Sequence, residues 1–225
     1  MNITNDLVTE YLNGFYRPAS EDLALLRSMG EKDRVPIILK ETETCLNLLL
    51  AIYRPSKILE VGTAIGYSAL YYAERCHDAE IFTIEKDETA FLAAKNNVDA
   101  AGKSSRIHCL FGDGQEQIEK LRDQGICGFD FVFIDAAKSH YRRFLDAALT
   151  VCEEGALIVS DNILQKAMTC SDAYDTQKRH KTNIIKMREY VDYISRDPSL
   201  ETSLLAVGDG LAVTIYRGEH EKRTV

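Results

Sequence analysis

FVFIDAAK at 131–138 and ALIVSDN at 156–162 are apolar runs that stop on oxygen-bearing side chains, Asp135 in the first and Asp161-Asn162 in the second. Runs that are apolar throughout, rather than alternating, mark strands buried on both faces of a parallel sheet. In an open α/β sheet, ligands bind outside the carboxyl ends of the strands. Two such neighbouring strands aim two carboxylates and an amide oxygen at one point. That all-oxygen set suits a hard divalent cation such as Mg2+ and not Zn2+.

Working outward, the same pattern recurs. KILEVG (57–62), EIFTIE (80–85), RIHCLFG (106–112) and FDFVFID (129–135) are further short apolar runs. Helical spacing is predicted between them, near 66–76, 88–101, 115–124 and 140–150. Five β-α units of this length predict a parallel sheet with helices on both faces. A last helix, about 178–196, leads into ETSLLAV and LAVTIYR. Gly208-Asp209-Gly210 between them signals a hairpin, so the sheet is expected to be mixed. Residues 3–53 read as helices, with a break and N-cap in RPASED (17–22) and Pro36 in the first turn of a third helix. The expected organisation is one domain over 1–225: N-terminal helices to 53, an α/β core over 57–216 and a frayed tail over 217–225.

The composition, 45% hydrophobic and 28% charged, is that of a soluble globular chain. No apolar run approaches the length of a membrane span, and MNITNDLVTEYLNGFYRP lacks the pattern of a signal peptide. A cytoplasmic protein is expected, with no membrane partner. The six cysteines include no C-x-x-C pair, which argues against both zinc and a disulfide scaffold. A net charge of −8 argues against a generic nucleic-acid coat but allows a local basic patch, and no DNA partner is expected.

Gly62 and Gly66 flank the turn after the first apolar run. Glycine permits close approach of the backbone to a ligand, and the helix that follows offers free N–H groups. The G-x-x-x-G spacing departs from the G-x-G-x-x-G of dinucleotide binders. Glu85, ending the second run, suits ribose hydroxyls, and Asp113, after the third, is placed for an adenine amino group. Tight turns with solvated acids are the bland alternative. Acids at four consecutive strand ends, Glu85, Asp113, Asp135 and Asp161, favour a nucleotide-type cofactor beside a metal. A nicotinamide dehydrogenase stays open, with the glycine spacing against it.

EVGTAIGYS, the TIE ending at Glu85, GDG at 112–114, FIDAAKSHY and SDN at 160–162 together resemble the cation-dependent O-methyltransferases, the family of the catechol and caffeoyl-CoA enzymes. VPI at 35–37, the DN-x-L-x-K of 161–166, QKRHK at 177–181 and VGDGLA look most like its bacterial tRNA 5-hydroxyuridine branch. The resemblance implies an α/β, Rossmann-like S-adenosylmethionine fold with a seven-stranded mixed sheet and N-terminal helical extension, and a homodimer. It implies cofactor contacts at Ile38, Glu60, Gly62, Gly66, Ser68, Glu85, Asp113 and Asp135, and a metal held by Asp135, Asp161 and Asn162.

Methyl transfer to oxygen needs an aligned, deprotonated acceptor. A divalent cation polarises the hydroxyl, and with Asp135 Lys138 becomes the catalytic pair, the lysine as candidate general base. Catechols and 5-hydroxyuridine both offer two adjacent oxygens. Lys178, Arg179, Lys181, Lys186 and Arg188, with Arg142, Arg143 and Lys166, read either as a solvated face or as a phosphate track. With the resemblance, a tRNA substrate in its anticodon loop is expected, contacted by Lys166, Lys178, Arg179 and Lys181. The alternative is a small phenol.

Overall fold

The computed structural model describes residues 3–218. Three helices come first: α1 (Asp6–Asn13), α2 (Glu21–Lys32) and α3 (Lys40–Tyr53). Then strands and helices alternate: β1 (Lys57–Val61), α4 (Tyr67–Arg75), β2 (Glu80–Glu85), α5 (Glu88–Ala100), β3 (Ile107–Phe111), α6 (Gly114–Asp123), β4 (Phe129–Ile134), α7 (Tyr141–Leu149) and β5 (Cys152–Ser160). Helix α8 (Lys181–Arg196) precedes β6 (Leu200–Leu205) and β7 (Leu211–Tyr216). The sheet runs β3-β2-β1-β4-β5-β7-β6, with β1 to β5 parallel and β7 antiparallel to both neighbours.

Period-2 alternation divides the central strands between two cores. Leu59, Val61, Val132 and Ile134 face Ile118, Phe144, Met187 and Tyr190 of α6, α7 and α8. Ile58, Phe131 and Phe133 face Leu46, Tyr71, Tyr72 and Val98 of α3, α4 and α5. Every residue of β4 is buried, as its unbroken apolar run requires. Strand order reverses between β1 and β4, so the crevice of the sheet opens above their carboxyl ends.

The predicted break at 17–22 is present, with Ser20 capping α2 through Leu23 N–H. Two boundaries differ from expectation. Pro36 is not in a helix: residues 35–39 carry no regular secondary structure and lead into α3, whose extended N-cap is Leu39. Arg27 ties that segment down by donating Nη2 to the Ile38 carbonyl at 3.0 Å. Helix α8 starts at Lys181, not near 178. Lys178 is left-handed, and the Asp175 carboxylate takes the N–H groups of Arg179 and His180, which therefore precede the helix. Of the tail expected to fray, residues 219–225 lie outside the described residues.

The N-terminal helices are joined to the α/β layer by one buried ionic cluster. Arg27 donates Nη2 to Glu43 at 2.5 Å and Nε to the Tyr67 hydroxyl at 3.1 Å. Glu43 also accepts from the hydroxyls of Tyr67 and Tyr16. Both charges are almost fully buried. Arg27→Met strands the Glu43 carboxylate and should destabilise the chain by about 3–5 kcal/mol, whereas adding Glu43→Leu should recover most of the loss. Urea unfolding of the single and double variants measures both effects.

Candidate active site

The ladder of parallel hydrogen bonds continues past the strand ends and carries the site residues with it. Gly62 N–H donates to Ile84 O, Asp135 N–H to Val61 O and Asp161 N–H to Ile134 O, at 2.9–3.0 Å. Gly62 has φ +106°, and a Cβ there would lie 2.0 Å from the Asp135 carbonyl oxygen. Only glycine lets the chain leaving β1 pass the chain leaving β4. Gly66, at φ +83°, caps α4 without a side-chain acceptor and leaves that helix's first N–H groups unspent. The two loops open one cleft of about 910 Å³.

At one end of the cleft, Glu85 accepts from Ala64 N–H through Oε2 and from Lys86 and Asp87 N–H through Oε1, each at 2.9 Å. The carboxylate ties the glycine loop to the end of β2 and still lines the cleft. Asp113 caps α6 and pairs with Arg143 at 2.8 and 2.6 Å. The hydrogen bonds from Arg143 hold its carboxyl below the usual carboxylate range. Beneath the glycine loop lies Glu60, fully buried. Its Oε2 accepts from Thr83, and its Oε1 has no partner. Burial pushes its carboxyl up to about 7, against the hydrogen bonds of Ser68 and Thr83. Glu60 and Ser68 thus form a buried floor and do not line the cleft.

At the other end, Lys138 Nζ donates to Asp135 Oδ1 at 2.8 Å, to Asn162 Oδ1 at 2.7 Å and to the Tyr141 hydroxyl at 2.8 Å. Tyr141 in turn donates to the Asp161 carbonyl. Asp161 is buried; one carboxylate oxygen accepts from Asn162 N–H and the other has no partner. Burial, then the charge of Asp135, pushes its carboxyl well above the ordinary range, and Lys138 opposes them. An orphaned carboxylate oxygen beside two oxygens already gathered on an ammonium fits a divalent cation. With two acids and one amide, the set leaves half of an octahedral shell to water and substrate, as suits Mg2+. Among the described residues no cluster of three or more His, Cys, Asp or Glu side chains forms a metal site.

The structure brings together Gly62, Glu85, Asp113, Asp135, Lys138, Asp161, Asn162 and Lys166 around the cleft. Ile38 does not line the cleft. Its side chain points into the core, and its neighbours Ile37 and Leu39 face the cleft instead. Lys178, Arg179 and Lys181 are exposed beside His180 and Asn183, which line the cleft. The other expected bases are spent: Arg142 pairs with Asp146 and stacks on Tyr193, Lys186 pairs with Glu189, and Arg188 pairs with Asp172. Sequence reasoning took Asp209 for a turn residue, yet it lines the cleft. Burial raises its carboxyl, the Lys166 N–H opposes, and the charge of Asp135 adds to the rise. The signal was the antiparallel β7, which returns the β6–β7 turn to the carboxyl end of the sheet. All six cysteines are free.

A profile of the O-methyltransferase family matches residues 19–217. A catechol O-methyltransferase of Niastella koreensis is 33% identical over 53% of this chain and 55% of its own. A caffeoyl-CoA O-methyltransferase of Populus kitakamiensis is 26% identical over 75% and 73% of the two chains. The solved structure of a candidate caffeoyl-CoA O-methyltransferase from Staphylococcus aureus superposes with a TM-score of 0.87 at 28% identity, over 94% of this chain and all of that one.

Glu60 makes stability depend on pH. Its folded-state carboxyl titrates about 7 against 4.5 for an ordinary glutamate. The folded chain therefore binds the extra proton, and the stability this confers is complete below about 4.5 and lost as pH rises through about 7. Glu60→Gln should flatten that slope, on the order of 3 kcal/mol across the window. Denaturant titrations at pH 5 and pH 8 test it; a Gln variant with the wild-type slope would exclude Glu60 as the source.

Proposed function

The chain belongs to the O-methyltransferase family, and from that premise we propose that it moves the methyl group of S-adenosylmethionine onto one of two adjacent oxygens of an acceptor, most specifically 5-hydroxyuridine in a tRNA anticodon loop. The observation that carries the chemistry is the convergence of Asp135, Lys138, Asp161 and Asn162 at the carboxyl ends of β4 and β5. Glu85 suits the cofactor ribose and Asp113 the adenine. The unspent N–H groups of α4 suit the cofactor's carboxylate.

Asp135, Asp161 and Asn162 would hold the cation, which when bound supplies Lewis-acid polarisation of the acceptor hydroxyl. The protein's own groups do the rest. Lys138 Nζ is the candidate acceptor of the hydroxyl proton, and its hydrogen bond to the Tyr141 hydroxyl holds it in place. The acceptor oxygen attacks the methyl carbon in line with the departing sulfur. The C–O bond forms, the C–S pair stays on sulfur, and S-adenosylhomocysteine leaves.

Two acceptors meet these demands. The names of the curated relatives favour a free phenol of the catechol or caffeoyl type. What supports tRNA is the rim: Lys178, Arg179 and Lys181 stand exposed beside the cleft with no ion pair among the described residues, in a chain of net charge −8. Unpaired bases at the mouth of a reactive site suit a phosphate backbone threading past it. The outer face of α1 and the turn after it, with Leu7, Tyr11 and Phe15 at 65–75% exposure, suit a second copy of the chain.

Incubation with S-adenosylmethionine, Mg2+ and either tRNA carrying 5-hydroxyuridine or a catechol, read by mass spectrometry, separates the acceptors. Asp161→Ala should lower turnover at least ~1000-fold, a loss on the scale of removing an electrostatic stabiliser, while cofactor affinity by calorimetry stays within a few-fold. Wild-type turnover that survives a chelator would sink the role of the cation. Exchanging Lys178, Arg179 and Lys181 for Gln should weaken tRNA binding and reduce the slope of log K against log salt by up to about 2–3. An unchanged slope would remove the rim from tRNA binding.

A further inference from the structure

Asp209 stands in the cleft and none of the steps above uses it. The turn that carries it is fixed from both sides. Gly208, at φ +57°, leaves a Cβ position 2.6 Å from Thr42 Oγ1, and Gly210, at φ +90°, one 2.5 Å from Leu164 Cγ. Ile163 N–H donates to the Gly210 carbonyl, Leu164 N–H to the Asp209 carbonyl and Lys166 N–H to Asp209 Oδ1. The turn is thereby riveted to the segment that follows Asn162. In that segment Asn162, Gln165, Lys166 and Ala167 all have positive φ, at 56, 46, 55 and 68°. Such conformations disfavour residues with a side chain and persist only where the surroundings enforce them. Asp209 Oδ1 is occupied by that backbone. Its Oδ2 receives no hydrogen bond among the described residues, and the side chain lines the cleft with Asp135, Lys138 and Asn162.

Resting on the reading of the acceptor as 5-hydroxyuridine, we propose that Asp209 orients the base, its free carboxylate oxygen accepting a hydrogen bond from the ring N3–H. In a 5-hydroxyuracil the 4-carbonyl lies between the 5-hydroxyl and N3–H. A ring that turns its two adjacent oxygens toward Asp135, Asp161 and Asn162 carries an N–H donor on the carbonyl side. A donor taken out of water needs an acceptor, and Asp209 offers an open one. A catechol has a carbon-bound hydrogen at the matching position and gains nothing from the carboxylate. A site built to hydrogen-bond one ring therefore discriminates against the other. Asp209 is a specificity residue on this account, not a cation ligand.

The test uses the full chain with S-adenosylmethionine and Mg2+ on three acceptors: an anticodon stem-loop RNA carrying 5-hydroxyuridine, the same RNA methylated at N3 of that base, and 3,4-dihydroxybenzoate. Asp209→Asn keeps the bond from Lys166 N–H through its amide oxygen but turns an N–H toward the ring. It should lose about 10- to 100-fold in kcat/KM on the unblocked RNA, with cofactor affinity and Mg2+ activation unchanged. Wild type should favour the unblocked RNA over the N3-methylated one, and Asp209→Ala should treat the two alike. Wild-type kcat/KM for Asp209→Asn on RNA, or a loss repaired by raising Mg2+, overturns the assignment of Asp209 while leaving the tRNA reading in place. A wild-type protein that methylates only dihydroxybenzoate overturns both.

Discussion

The approach of Gly62 to the carbonyl of Asp135 is the constraint on which the site depends. A side chain at 62 would meet that oxygen at 2.0 Å, so β1 and β4 can stay paired beyond their ends only with glycine there. Because they stay paired, Asp135 N–H reaches Val61, and on the other side of β4 the β4–β5 ladder likewise runs on to Asp161 N–H, which reaches Ile134. These bonds fix the backbone of both acids to the rigid centre of the sheet. Their side chains then converge without help from flexible loops. Positioning of this kind, on strands rather than on loops, keeps reacting groups within the tolerance that methyl transfer demands.

The sheet and the acids at its strand ends were legible in the sequence because each strand signals twice. An apolar run such as FVFI announces burial, and the residue that ends it announces the ligand. A helix start was legible where a side chain caps it, as Ser20 does for α2. Reading failed where long-range contacts decide local structure. Pro36 looked like the first turn of a helix, but Arg27 from another helix claims the Ile38 carbonyl and holds the segment out of the helix. In that segment Ile38 turns inward and Ile37 outward. Lys178 and Arg179 looked helical until Asp175 took the N–H groups that follow. Asp209 was hidden by its neighbours: between two glycines it reads as turn chemistry, and only the antiparallel return of β7 shows that the turn faces the cleft.

The charges of the site explain its composition better than stability does. Asp135, Asp161 and Asp209 gather around the ammonium of Lys138, with Lys166 also acting on Asp209, and Glu60 lies buried with one oxygen unpartnered among the described residues. Left alone, such a set opposes folding, since buried carboxylates without partners raise the free energy of the native state. A fold selected only for stability would replace them with apolar side chains of similar size. Their presence is the mark of a place prepared for positive charge, and Lys138 partly meets that demand within the folded chain.

This arrangement also separates chemistry from choice of acceptor. The groups proposed to prepare an oxygen for methylation lie at the ends of β4 and β5, where the sheet fixes them. The groups that can tell one acceptor from another lie on the connections around the cleft: residues 36–39, the left-handed segment after Asn162, the basic stretch at 178–181 and the turn of Asp209. Those connections can change length and charge without disturbing the strand ladder. An apolar or neutral rim over the same floor would suit a free phenol. The rim of this chain is instead basic on one side, with Lys178, Arg179 and Lys181 in no ion pair among the described residues, and carries the Asp209 carboxylate on the other, so the proposed choice of acceptor rests on these connections and not on the strand ends.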